Sequence, residues 1–259
     1  MSTHVSVLPA RAPRSAFGKL LQSEATYAWR APLGLLLGVG VPVLALVVLG
    51  LIPGANKPVK SLGGLTLFTV YFPVLIVLAL AVLSLLSLPT HLASYREQGI
   101  LRRLSTTPVP PAWMLAAQVI INLALAVVAL GILVVAGMAG FGLGAPGQPG
   151  GFTLALMLSV AAMFAIGLWI AAIARSQNAA AAIGQLLFFP LLFFSGLYLP
   201  RASMPAVFRD IGDWTPAGAA AHALQDSMLG TFPSAQSLLV LAVWAVVFGA
   251  LAVRFFRWE

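Results

Sequence analysis

Ser94-Tyr95-Arg96-Glu97-Gln98-Gly99-Ile100-Leu101-Arg102-Arg103-Leu104, closed by Ser105-Thr106-Thr107-Pro108-Val109-Pro110-Pro111, is the stretch on which the rest of this chain turns. It is a charged segment set between two long apolar runs, Leu65 to Leu88 and Ala112 to Met138, neither of which holds an Asp, Glu, Lys or Arg. About 20 mostly apolar residues suffice to cross ~30 Å of hydrocarbon. Each run can therefore span a bilayer, and the stretch between them is tied to the membrane at both ends.

Four further runs of the same kind lie outward from it: Leu33 to Leu51, Phe152 to Ala174, Ala179 to Leu199 and Ala235 to Val253. None carries a charged side chain, whose burial at the bilayer centre costs a few kcal/mol or more. With 61% hydrophobic and 8% charged residues, and a mean hydropathy of +1.02, the chain has too little polar surface to cover a soluble globule. The expected fold class is an all-α integral membrane protein with six transmembrane helices. Only Arg175-Ser176-Gln177-Asn178 separates the fourth and fifth runs, which makes them an antiparallel hairpin. No internal repeat and no room for a separate soluble domain are apparent.

The formal net charge of +8 comes from Lys and Arg residues in the gaps between apolar runs, not on one face of a domain. That pattern fits membrane topology and not a nucleic-acid partner. With the N-terminus inside, the inner segments hold Arg11, Arg14, Lys19, Arg30, Arg96, Arg102, Arg103, Arg175, Arg254 and Arg257, and the outer ones Lys57, Lys60, Arg201 and Arg209. Positive residues collect on the cytoplasmic side. Both termini are thus expected in the cytoplasm of a multi-pass protein of the inner or plasma membrane, and Ser94 to Pro111 faces the same side. The absence of cysteine removes disulfides, thiolate metal sites and a Cys nucleophile.

Residues 1–14 carry Pro9 and Pro13 without hydrophobic periodicity and read as a disordered tail with no cleavable signal. Ser15 can cap a helix over 15–30 in which Phe17, Leu20, Leu21, Ala25 and Ala28 form an apolar face, with Lys19, Gln22 and Glu24 off it. Such a helix lies along the inner membrane surface. The transmembrane domain fills 31–259. Gly140 to Gly151 is a flexible outer loop.

Within the spans polar groups are few. Gln118 and Asn122 stand four apart, hence on one helical face, and Gln185 has the same status. They either line a translocation route or hydrogen-bond between helices. The charged stretch reads as a short helix over about 92–104, with Leu92, Tyr95, Ile100, Leu101 and Leu104 for apolar contact and Arg96, Glu97, Arg102 and Arg103 solvated. Its proline-rich end stops it before the next span.

Two segments carry a family resemblance. Tyr95-Arg96-Glu97-Gln98-Gly99-Ile100-Leu101-Arg102-Arg103-Leu104 followed by Thr107-Pro108 resembles the pattern E-R-E-x-G-T-L-x-x-L with a downstream T-P of ABC-2 type permeases. Phe193-Phe194-Ser195-Gly196-Leu197-Tyr198-Leu199-Pro200, with Met204-Pro205, Trp214 and Pro216, resembles the region before that family's last span. Tyr95 stands where the first Glu is usual and Ile100 where Thr is common, which leaves Glu97 as the acidic residue of the motif.

The resemblance implies an N-terminal interface helix, a cytoplasmic coupling segment over 92–111 that docks on an ATPase, and a re-entrant segment over 200–233. It assigns ATPase coupling to Tyr95, Arg96, Glu97, Gly99, Leu101, Arg102 and Leu104. It further implies a partner P-loop ATPase subunit and a second permease copy, as homodimer or close relative, in the lipid bilayer. The exported cargo would be a drug, antibiotic or lipid. Export of polysaccharide or glycolipid is the alternative within the family.

This chain has no phosphate-binding loop of its own. Its one Gly-Lys pair, Gly18-Lys19, has Pro13 and Leu20 where the G-x-x-x-x-G-K-[ST] motif needs Gly and a hydroxyl. ATP and Mg would be bound by the partner, and no cofactor or metal is expected in this chain. An ion-coupled secondary transporter or channel would want ionisable residues within spans, and there are none. His91 and His222 read as membrane-edge or packing residues. Ser195 with His222 lacks the G-x-S-x-G context and orienting acid of a hydrolase, so no enzyme activity is expected of the chain itself.

Overall fold

Thr66 begins the helix that organises the bundle: its hydroxyl accepts the Thr69 N–H at 3.2 Å and satisfies one of the unpaired first-turn donors. From there one helix runs Leu67–Glu97. The computed structural model describes residues 14–30, 36–99 and 111–255. In chain order they give α1 (Arg14–Arg30), a π turn (Leu36–Gly40) leading into α2 (Val41–Gly50), and α3 (Leu67–Glu97). Then follow α4 (Pro111–Val135), closed by a π turn (Ala136–Gly140), α5 (Pro149–Ile173) and α6 (Gln177–Ser195). Last come α7 (Ala206–Trp214), α8 (Pro216–Met228) and α9 (Ala235–Phe255).

All regular structure among the described residues is helical. Five helices are long and apolar enough to cross a membrane: α3, the stretch Trp113–Gly140, α5, α6 and α9. The first expected span, Leu33 to Leu51, appears as the shorter apolar helix Leu37–Gly50, and its start lies outside the described residues. Among the described residues five helices reach spanning length, and the sixth expected span does not.

α3 occupies the centre. Phe68, Val74, Leu75, Ile76, Val77, Leu80, Leu83 and Leu85 are all buried, and its wall is apolar on every side, the pattern of a helix surrounded by protein. Midway it widens into a π segment, Val82–Ser87, whose carbonyls lie against glycines of two neighbours. A Cβ at Gly167 of α5 would collide with the Ser84 carbonyl, and one at Gly184 of α6 with that of Leu85. Small residues let membrane helices approach to backbone distance, and here they do so on both sides of one bulge.

The connections at the end of the bundle away from Glu97 are partly built into it. Thr215 caps α8, accepting from Gly218 N–H at 3.1 Å, and Pro216 through Ala221 are buried. The expected loop over Gly140 to Gly151 is shorter than expected, since α5 starts at Pro149, a residue preorganised for a first helical turn. Gln148 N–H donates to Ser227 O at 3.0 Å, fastening that loop to the end of α8.

Candidate functional site

The last turn of α3 carries Tyr95, Arg96 and Glu97, and these three consecutive side chains point to three different neighbours. Successive helix positions are ~100° apart. Tyr95 is buried and its hydroxyl donates to Glu24 Oε2 of α1 at 2.7 Å. Gln118 of α4 donates its amide to the same carboxylate oxygen and lies 3.2 Å from the Tyr95 hydroxyl. Asn122, one turn along, donates to the Gln118 backbone carbonyl at 3.0 Å. Its own Oδ1 is buried and has no hydrogen-bond partner among the described residues. One carboxylate thus joins α1, the central helix α3 and α4.

Arg96 reaches the opposite way. Its Nη1 donates to the carbonyls of Ala171 at 3.2 Å and Ala174 at 2.8 Å, the last carbonyls of α5. Those groups have no partner within their own helix, and a cation beside them contributes about 0.3–1 kcal/mol. Glu97, exposed, accepts the Gln177 backbone N–H at 3.0 Å through Oε2, so a carboxylate sits at the positive end of α6. Ser176 completes that cap, accepting from Ala179 N–H at 3.2 Å. Between them the three residues fix the end of α3 to α1, α4, α5 and α6.

Two expectations from the sequence are corrected here. The charged stretch does not form a separate helix over 92–104: Leu92 to Glu97 continue α3, Gln98 ends it, and Gly99 adopts a left-handed φ of +66°. That conformation favours glycine and cannot extend a right-handed helix. Arg96 is half-buried and bound to α5 rather than solvated, while Leu101, Arg102, Arg103 and Leu104, with Ile100, lie outside the described residues. The second correction concerns Glu24, assigned to the wet face of α1 and in fact 7% exposed. Burial pushes its carboxyl above the usual range, and the hydrogen bonds from Tyr95 and Gln118 oppose that rise.

α1 seats against this cluster through apolar contacts as well. Leu20 packs on Tyr95 and Met114, and Phe17 meets Trp113 edge to face with centroids 5.5 Å apart. Gln118 therefore joins the junction between helices, Asn122 bonds within α4, and Gln185, exposed on α6, takes no part in it. A small cavity lined by Glu24, Ser87, His91, Gln118 and Asn122 remains beside the carboxylate.

At the other end of the bundle some of the charges pair with one another. Arg201 forms a two-pronged ion pair with Asp213, the second contact at 2.8 Å. His222 lies 3.6 Å from Asp226 and 3.4 Å from the Ser237 hydroxyl. The Ser195 hydroxyl donates to its own helix at Leu192 O, 2.8 Å, and is not presented as a nucleophile. Among the described residues no group of three His, Asp or Glu side chains could hold a metal.

The family model of the ABC-2 type transporter matches residues 15–229. The chain belongs to that family. It is accordingly a permease chain of an ABC-type transporter and a multi-pass membrane protein. No curated protein matches it. In this ABC-2 permease the matched span runs from the start of α1 to the end of α8, so both the Glu24 junction and the outer short helices lie within it.

Proposed function

We propose that this ABC-2 permease, paired with a second permease copy and two cytoplasmic P-loop ATPase subunits, exports a lipophilic or amphipathic cargo such as a drug, antibiotic or lipid. The ATPase docks on the segment beginning at Ser94, and ATP and Mg reside in that partner. The observation that carries this reading is the threefold anchoring of Tyr95, Arg96 and Glu97. A displacement of the end of α3 is delivered at once to α1, α4, α5 and α6, because each is held by a hydrogen bond to it. A lone apolar turn would slip; a hydrogen-bonded one transmits.

The spans support the cargo class. Long uncharged helices with few polar groups offer little to a hydrated polymer, whose hydroxyls would need partners throughout the route. Of the polar side chains in α4, Gln118 is committed to Glu24 and Tyr95, and Asn122 donates to the Gln118 carbonyl.

The test is purification in mild detergent with identification of the co-purifying subunits, followed by ATP hydrolysis and export measured in proteoliposomes. A stoichiometric P-loop ATPase is expected. The variant Glu97→Arg is expected to insert normally and to keep hydrolysis while losing most export, because it removes the acceptor for Gln177 N–H and sets a cation at the positive end of α6. A clean oligomer without ATPase, or normal export by that variant, overturns the reading.

A further inference from the structure

Between α7 and α8, at the end of the bundle away from Glu97, lies a pocket that the coupling junction does not use. Its volume is about 270 Å³, and its polar lining is Arg201, Arg209, His222, Gln225 and Asp226. Only Ala202 and Leu229 add apolar surface to it.

The pocket stands on the polar face of α7. Arg209 and Asp213 are four apart on that helix and share a side, whereas Val207, Phe208, Ile211 and Trp214 recur at three and four residues on the other and are exposed. A helix with such an apolar face lies at the boundary between hydrocarbon and water, so the pocket sits at head-group depth. The wall is fixed in place. Gly212 passes so close to α6 that a Cβ there would lie 3.3 Å from the Phe194 carbonyl, and the Trp244 indole N–H of α9 donates to the Trp214 carbonyl at 3.0 Å.

The charges in the lining select what can enter. Arg201 is neutralised by Asp213. Arg209 is half-buried and has no hydrogen-bond or ion-pair partner among the described residues, so its five donors are open. Asp226 meets His222 through Oδ1 at 3.6 Å, while its Oδ2 and the Gln225 side-chain amide have no partner among the described residues. Two opposite charges thus line one pocket without touching each other. A simple anion would meet the Asp226 carboxylate, a simple cation would meet Arg209, and an acyl chain would leave all these groups desolvated and unpaired. A ligand that carries both charges satisfies both walls.

We propose that this pocket binds a zwitterionic amino-phosphate group, with its phosphate on the Arg209 fork and the Gln225 amide, and its primary ammonium on Asp226. His222 is a positioning residue that holds the Asp226 carboxylate through its other oxygen.

The purified permease complex, titrated in turn with short-chain phosphatidylethanolamine, phosphatidylglycerol and phosphatidylcholine, tests this, with apparent dissociation constants read from the shift in unfolding temperature. Phosphatidylglycerol lacks the ammonium and phosphatidylcholine lacks its N–H donors. Phosphatidylethanolamine is expected to bind about tenfold more tightly than either, the worth of one charge-assisted hydrogen bond. Arg209→Ala should weaken its binding about tenfold or more, and Asp226→Asn should bring phosphatidylethanolamine and phosphatidylglycerol to the same constant. Should the alanine variant fail to fold, Arg209→Lys keeps the charge without the fork and should weaken binding while retaining the preference. Soluble phosphoethanolamine separates the two sources of this chemistry: binding as tight as the lipid's assigns the pocket to a free zwitterion, and binding by the lipid alone assigns it to a membrane head group. Equal constants for the three lipids, or an unchanged constant in both Arg209 variants, overturn the proposal. So does a strongly non-additive loss of stability for Arg209→Ala combined with Asp226→Asn in lipid-free detergent, because the two side chains then close on each other.

Discussion

A single buried carboxylate decides how the interface helix is attached. Glu24 accepts from Tyr95 and Gln118, and removing it takes away the acceptor these two buried donors share. In a water-soluble core that would cost about 1–3 kcal/mol; in membrane proteins such bonds average ~0.6 kcal/mol. Glu24→Leu is therefore expected to lower the unfolding temperature of the purified protein, whereas Glu24→Gln, which retains a carbonyl acceptor, should lower it less. Equal losses for the two would show that the apolar contacts of α1, not this carboxylate, hold it. The sign with pH follows from burial. An acid whose carboxyl is raised in the folded state stabilises the fold while protonated, and this contribution disappears as pH rises through the raised value. Wild type should lose stability on going from acid to neutral pH by more than Glu24→Gln does; parallel profiles would refute the assignment. None of this was visible locally. Helical spacing placed Gln118 and Asn122 on one face correctly, but the acceptor lies 94 residues from Gln118 and 71 from Tyr95, on the polar side of an amphipathic pattern.

Among the elements, α3 shows what periodicity can and cannot reveal. Its uncharged run made it legible as a span, but the sequence pattern carries a helix through Gly99 to the proline-rich stretch, and the stop at Gly99 was not foreseen. That its last turn would belong to the span rather than to a separate helix was not legible, because the polar residues that suggest a surface helix find partners on α1, α5 and α6 instead of water. Nor does sequence spacing expose the π bulge. Gly167 and Gly184 sit in ordinary apolar runs, and only the approach of the Ser84 and Leu85 carbonyls gives them a role. Gly167→Val and Gly184→Val are each expected to cost more than the ~1–3 kcal/mol typical of overpacking, since backbone and not a movable side chain stands in the way. Size-exclusion profiles of the detergent extract should show loss of the monodisperse peak. Gly249→Val is the comparison, because nothing lies within 4 Å of a Cβ there. Similar profiles for all three would remove the close crossing as a determinant of the fold.

For the whole molecule, the sorting of charge between two ends is the feature from which orientation follows. Arg96 donates to the Ala174 carbonyl, next to Arg175 in the α5–α6 turn, and Glu97 accepts from Gln177. Lys60 belongs to the turn Lys60–Leu62, which packs against Arg201–Ser203 at the opposite end. The described basic residues of these loops thus fall at two ends, and because Lys and Arg collect in cytoplasmic loops the end with Arg96 and Arg175 is expected to lie inside. Because the chain has no cysteine, single introduced thiols report sidedness without background. Asn178→Cys and Ala202→Cys occupy exposed positions at the two ends. In intact cells a membrane-impermeant maleimide should label Ala202→Cys and spare Asn178→Cys, and permeabilisation should expose the second. The reverse pattern would invert the protein, place Ser94 to Pro111 outside, and remove the ATPase from reach of α3. Labelling of both in intact cells would instead mean that a continuous aqueous path reaches the inner end. A bundle whose central helix is buried on every side gives no support to such a path.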